Sequence, residues 1–161
     1  MKTEQFIIPD IKNLEKFAEN FLNIISLPAI VLLSGSLGAG KTAFVKAIGR
    51  ALNIKETITS PSFNIMNSYD FLYDAQKSKL LHYDLYRLSE DDDVSDIDIF
   101  EAAEDKNFLA FIEWPQKAER LWENENIKVY SLSFEVDFSS HKEDENISEL
   151  PRKITMKEIK N

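Results

Sequence analysis

The sequence predicts an α/β domain with a mixed central β-sheet flanked by helices. Three observations carry that expectation. Ala29-Ile30-Val31-Leu32-Leu33 is an apolar run of strand length, followed by a glycine-bearing loop and then by Phe44, Val45, Ile48 and Leu52 at helical spacing. Phe108-Leu109-Ala110-Phe111-Ile112 is a second such run, stopped by Glu113-Trp114-Pro115. Phe63–Tyr73 and Lys79–Tyr86 read as strands joined by the polar turn Asp74–Ser78, a hairpin that would set antiparallel strands beside the first apolar strand.

The remaining elements follow in order. Asp10, after Pro9, is a candidate cap for a helix in which Ile11, Leu14, Ala18, Phe21, Leu22 and Ile25 share one face, closed by Pro28. The helix behind the glycine loop ends near Asn53. Glu56–Thr59 reads as a short strand running into the loop Ser60-Pro61-Ser62-Phe63. Ser89–Asp105 is dense in Asp and Glu, yet Val94, Ile97, Ile99 and Phe100 give it an apolar side and predict a short helix. Lys117–Trp122 reads as helix, Ile127–Phe138 as an alternating strand, Ser139–Glu149 as a polar loop and Arg152–Ile159 as a last edge strand. No repeat or linker divides residues 1–161, so one domain is expected, with motifs over about 8–122 and strands over about 127–159.

Composition narrows the class. At 161 residues and 43% apolar content, with eleven Phe, the chain can bury a proper core. It has no cysteine, which excludes disulfides and thiolate metal sites. Met1-Lys2-Thr3-Glu4-Gln5 lacks the basic and apolar blocks of a signal peptide, and Ile24–Leu33, broken by Ser26 and Pro28, is too short to cross a bilayer. A cytoplasmic protein without membrane contact is expected. A net charge of −9 makes a poor stand-alone nucleic-acid binder, so any nucleic-acid connection would run through another protein.

The chemistry concentrates in Gly35-Ser36-Leu37-Gly38-Ala39-Gly40-Lys41-Thr42, the G-x-x-x-x-G-K-[ST] pattern of a phosphate-binding P-loop placed between strand and helix. Its glycines permit backbone angles that turn several N–H groups onto one anion, and the helix opening at Lys41 and Thr42, with Ala43 behind them, adds free N–H donors. Lys41 can reach the β- and γ-phosphates, and the Thr42 hydroxyl can ligate Mg²⁺. A second carboxylate on the metal side belongs at the end of a buried strand, where Glu113 stands; the alternative is a solvated strand end. Asp84, in His82-Tyr83-Asp84-Leu85-Tyr86-Arg87, can orient an attacking water, hold the Mg²⁺ shell or simply form a salt bridge. His82 reads as a packed or hydrogen-bonded histidine, because the other histidine, His141, lies in a polar loop. Thr59, Ser60 and Ser62 offer hydroxyls to metal or phosphate from a loop that can sense the γ-phosphate. Trp114 suits base stacking, a partner interface or plain core packing. Residues 90–98 form a solvated acidic face or a docking patch for a basic partner.

With these pieces in place, the chain resembles the TsaE (YjeE) family, small ATPases of bacterial tRNA threonylcarbamoyladenosine synthesis. The resemblance rests on Leu33–Thr42, Thr59–Phe63, His82-Tyr83-Asp84-Leu85-Tyr86-Arg87-Leu88 and Ile112-Glu113-Trp114-Pro115, in the family's order. It implies a single P-loop NTPase-like domain that binds ATP and Mg²⁺ and hydrolyses ATP slowly. It also implies work with TsaD-like and TsaB-like proteins, with tRNA reached only indirectly. On that model Lys41 holds phosphates, Thr42 and Glu113 hold Mg²⁺, Thr59–Phe63 senses the nucleotide, Asp84 serves hydrolysis and Trp114 lies by the nucleotide. Two features depart from the family pattern: Ser36 stands where an acidic residue is usual, and the run at 90–98 is denser in acid.

Two rival readings keep the P-loop. A small-molecule kinase needs cationic lid residues, whereas the arginines here are the scattered Arg50, Arg87, Arg120 and Arg152. A non-catalytic adaptor would bind ATP only to shape an interface. A GTPase switch is excluded because no glycine follows Gly49, and an ABC-type ATPase for want of a Gly-rich signature.

Overall fold

The computed structural model describes residues 3–61, 64–88, 99–103, 107–117, 127–139 and 146–160. In chain order the elements are β1 (Thr3–Ile8), α1 (Leu14–Ile24), β2 (Ala29–Gly35), α2 (Lys41–Ala51), β3 (Met66–Tyr73) and β4 (Gln76–Asp84). They continue with α3 (Ile99–Ala103), β5 (Asn107–Glu113), β6 (Lys128–Val136) and β7 (Arg152–Lys160). All the strands join one seven-stranded sheet, ordered β1-β7-β6-β2-β5-β4-β3. The sheet is mixed: β6, β2, β5 and β4 run parallel, while β1–β7, β7–β6 and β4–β3 pair antiparallel.

Burial on both faces explains the continuous apolar run of β2. Val31 and Leu33 point toward α1 and α2, into a cluster holding Phe17, Phe21, Phe44, Phe111 and Phe134. Phe44 is its hub, with ring centroids 5.3 Å from Phe17, 5.5 Å from Phe21 and 5.8 Å from Phe134. Ile30 and Leu32 point the other way, into a cluster with Leu81, Tyr83, Ile99, Phe108 and Ile112.

Several expectations need correction. The hairpin forms, but β5 lies between it and β2, because the apolar β5 is the better partner for a strand buried on both faces. Its turn is Asp74-Ala75 alone, both residues at positive φ (48° and 62°), so Tyr73 already pairs with Gln76. Glu56–Thr59 is not a strand: Ile58 buries in the core and the Thr59 N–H donates to the Tyr69 hydroxyl at 3.1 Å instead of to a ladder. β7 is not an edge, because β1, which the sequence reading passed over, covers it from Thr3↔Lys157 to Ile8↔Arg152. Asp10 caps a 3-10 turn, Ile11–Asn13, that leads into α1, accepting from the N–H groups of Lys12 (2.8 Å) and Asn13 (3.2 Å). Phe17 joins the expected buried face of α1.

The acidic helix is present as α3, while residues 90–98 lie outside the described residues. Pro115–Lys117 forms a 3-10 turn; the rest of the expected helix, through Trp122, lies outside them, as do Ser62, Phe63 and His141. Among the described residues no helix is long and apolar enough to cross a membrane.

Candidate functional site

The parallel strands deliver their carboxyl ends to one edge of the sheet, where α/β folds bind ligands. β2 ends there at Gly35, β5 at Glu113 and β4 at Asp84, with Glu113 in register with both Leu33 and Asp84. Backbone hydrogen bonds continue past the strands, from Trp114 N–H to the Leu33 carbonyl and from Leu85 N–H to the Glu113 carbonyl. The three functional segments are therefore fixed to each other by main chain.

Gly35, Gly38 and Gly40 all take positive φ (138°, 79° and 108°), and Gly40 sits at the N-cap of α2. The loop then borders a cavity of about 390 Å³, walled by Leu37, Gly38, Gly40, Lys41, Thr42 and Ala43 on one side. Ser60, Asp84, Glu113 and Trp114 stand on the other. Gly35, Ser36 and Ala39 complete the loop without lining the cavity. Thr59 stands apart, its carbonyl and hydroxyl facing Asn67 Nδ2 at 3.4 Å.

Lys41 is buried, its Nζ donating to the carbonyls of Gly35 (2.9 Å) and Ser36 (3.0 Å) and lying 4.3 Å from the centre of the Trp114 ring. Burial lowers its pKa below the usual lysine range, partly opposed by the negative charges of Glu113 and Asp84. Trp114 is held over the lysine by a left-handed backbone (φ 59°), an uncommon state for a bulky residue, and its ring packs 4.9 Å from that of Tyr86.

The Thr42 hydroxyl donates to Glu113 Oε1 at 2.7 Å, and His82 Nε2 lies 2.9 Å from the same oxygen. Asp84 is anchored at both oxygens, by Ser60 Oγ at 3.0 Å and by the Tyr86 N–H at 3.1 Å. Among the described residues there is no cluster of three or more His, Cys, Asp or Glu fit to enclose a metal by itself. Thr42 and Glu113 are instead a pair of hard oxygen donors, the set suited to a Mg²⁺ that shares its shell with water and phosphate.

A family model described as "Threonylcarbamoyl adenosine biosynthesis protein TsaE" matches residues 8–145. The chain belongs to the TsaE family. A tRNA threonylcarbamoyladenosine biosynthesis protein TsaE from Borreliella burgdorferi is 34% identical over 125 residues, 78% of this chain and 86% of the relative. One of the same name from Synechocystis is 40% identical over 85 residues, 53% of this chain and 52% of the relative. The crystal structure of Bacillus subtilis YdiB shares the fold, with a TM-score of 0.61 at 20% identity, over 96% of this chain and 84% of that one.

In this TsaE-family chain the sequence reading missed several parts of the site. Ile11, Tyr86 and Arg87 also line the cavity. Arg87 and Tyr86 lie inside the quoted motif and were within reach. Ile11 falls on the predicted helix face, and nothing local to it signals the loop it meets. Lys117 Nζ donates to the carbonyls of Tyr86 and Leu88, tying the cavity wall to the turn after Trp114.

Proposed function

We propose that this chain is a Mg²⁺-dependent ATPase that serves tRNA threonylcarbamoyladenosine biosynthesis in the cytoplasm, working with TsaD-like and TsaB-like proteins and meeting tRNA only through them. The observation that carries the reading is the convergence of Lys41, the Thr42–Glu113 pair at 2.7 Å and the doubly anchored Asp84 on one cavity behind a glycine loop. The family's part in that biosynthesis supports the pathway, and the net charge of −9 supports an indirect route to tRNA.

Each residue has a separable task. Backbone N–H groups of the loop and the first turn of α2 bind the phosphates, with Lys41 neutralising charge on the β- and γ-phosphates. Thr42 and Glu113 would hold Mg²⁺, which supplies electrostatic stabilisation of the transferring phosphoryl group. Asp84, held by Ser60 and the Tyr86 N–H, would accept a proton from an attacking water or orient it. The Trp114 ring packs over the Lys41 ammonium, 4.3 Å from ring centre to Nζ, and would help hold it at the cavity.

The test is ATP hydrolysis by the purified chain, alone and with its TsaD-like and TsaB-like partners, with Lys41→Ala as blank. Slow turnover that the partners change supports the reading. Turnover that ignores them and appears only with a small-molecule acceptor points to the kinase, although among the described residues Arg87 is the one arginine on the cavity wall. Full partner function by a hydrolysis-dead Asp84 variant points to the adaptor.

A further inference from the structure

Behind the glycine loop, on the side away from the cavity, lies a buried cation that none of these tasks uses. Arg152, the first residue of β7, is 1% exposed. Its Nε donates to the Ala39 carbonyl at 3.1 Å, Nη1 to the carbonyls of Leu150 (2.6 Å) and Ser148 (3.3 Å), and Nη2 to that of Ile147 (2.9 Å). The guanidinium thus joins the turn before β7 to the tip of the loop. A peptide unit is planar and trans, so the Ala39 carbonyl and the Gly40 N–H point in opposite directions. Arg152 holds that carbonyl at the back. The Gly40 N–H is thereby turned to the front, where Gly40 lines the cavity. A Cβ at Gly40 would come within 3.3 Å of Arg152 Nε, so the guanidinium also fills the space behind this residue.

We infer that Arg152 is a positioning residue for the phosphate site, fixing the Ala39–Gly40 peptide so that the Gly40 N–H faces an incoming phosphate. The inference rests on the nucleotide reading above. An apolar side chain could fill this space but would leave the Ala39 carbonyl, and with it the orientation of the Ala39–Gly40 peptide, without this donor. Among the described residues the hydrogen bonds of Arg152 all go to backbone carbonyls, so it acts on the loop by holding main chain. Burial lowers its pKa from the usual arginine value, with the charge of Asp10 partly opposing the shift.

The experiment is calorimetric titration of the full chain with Mg·ATP, and separately with inorganic tripolyphosphate, for wild type, Arg152→Met and Arg152→Lys. Wild-type binding of ATP tests the nucleotide reading by itself; its absence overturns that reading and this inference together. With wild-type binding in hand and its circular-dichroism spectrum retained, Arg152→Met is expected to lose at least about tenfold in affinity for both ligands. Arg152→Lys, which keeps the charge but not the fork, is expected to recover part of that loss. In spectra of ¹⁵N-glycine-labelled protein the Gly40 amide moves on adding ATP to wild type and moves less in Arg152→Lys. Affinity of a folded Arg152→Met within about twofold of wild type overturns the inference, a difference well below one hydrogen bond to a charged group. Should Arg152→Met not fold, Arg152→Lys decides, and unchanged affinity with an unchanged Gly40 shift overturns it.

Discussion

Glu113 and His82, 31 residues apart, meet in the core at 2.9 Å, on the carboxylate oxygen that also accepts from Thr42. Among the described residues His82 Nδ1 has no hydrogen-bond partner. With its proton on Nε2 the ring donates to the carboxylate and leaves only a lone pair unpaired, which is cheaper to bury than an orphaned N–H. His82 braces the carboxylate from behind, and if Glu113 holds Mg²⁺ as proposed, it would serve as the outer hydrogen-bond partner that orients the ligand. His82→Leu is expected to lower unfolding free energy by about 1–3 kcal/mol, read by urea denaturation. It should also raise the Mg²⁺ concentration giving half-maximal turnover, with His82→Gln, which keeps a donor, recovering part of both. Unchanged stability and Mg²⁺ dependence in His82→Leu would sink this role.

On the proposed function, Asp84 and Lys41 are expected to separate chemistry from binding. Asp84→Asn keeps shape and the Tyr86 contact, so ATP affinity should stay within a few-fold while turnover falls by about 10²–10⁴-fold, the usual worth of a positioned acid–base group. Lys41→Ala should instead lose measurable ATP binding. Calorimetry and single-turnover hydrolysis on the two variants distinguish the cases; equal loss of binding in both would remove the assignment of Asp84 to the chemical step.

What the sequence made legible was local. The glycine loop, the apolar runs of β2 and β5 and the strand-end Glu113 are read from adjacent residues, and each stands where its pattern places it. What stayed hidden depends on pairing between distant segments. The six residues of β1 carry no alternation strong enough to mark a strand, and they become one because β7 offers a ladder. The insertion of β5 between β2 and β4 is a choice of partner that no single run encodes. The contacts His82–Glu113 and Arg152–Ala39 span 31 and 113 residues and exist only once the register is set. Thr59 was legible as a hydroxyl near the loop but not as one that turns toward Asn67.

Two loop glycines should differ sharply on substitution. A Cβ at Gly35 would lie 2.5 Å from the Phe134 carbonyl oxygen, a backbone atom of β6 that cannot give way, at φ +138°. Gly38 has nothing within 4 Å, so Ala there meets only the left-handed strain of φ +79°. Gly38→Ala is expected to cost about 1–2 kcal/mol. Gly35→Ala adds a steric term of about 1–3 kcal/mol. Thermal denaturation measures both, and a Gly35→Ala no worse than Gly38→Ala would contradict the close β2–β6 approach.

Tyr130 is expected to lower stability at alkaline pH. The residue is 3% exposed in β6, pairs in register with Glu158 of β7 and packs its ring edge-on to Phe21. Burial, and then the negative charge of Glu158, raise its pKa above the ordinary 10.0, opposed by a backbone hydrogen bond from Ser26. Above pH 10.0 the unfolded chain loses this proton while the folded chain keeps it, so the folded state binds more protons and stability falls as pH rises. Below that point the contribution is fully present. Tyr130→Phe keeps the ring and removes the titration. Over about pH 9–11 the wild-type Tm should therefore fall more steeply than that of Tyr130→Phe, and the two should converge in slope below it. Parallel curves across that range would mean that Tyr130 ionises as easily in the folded protein as in the unfolded chain, and that the β6–β7 pairing leaves its hydroxyl open to water.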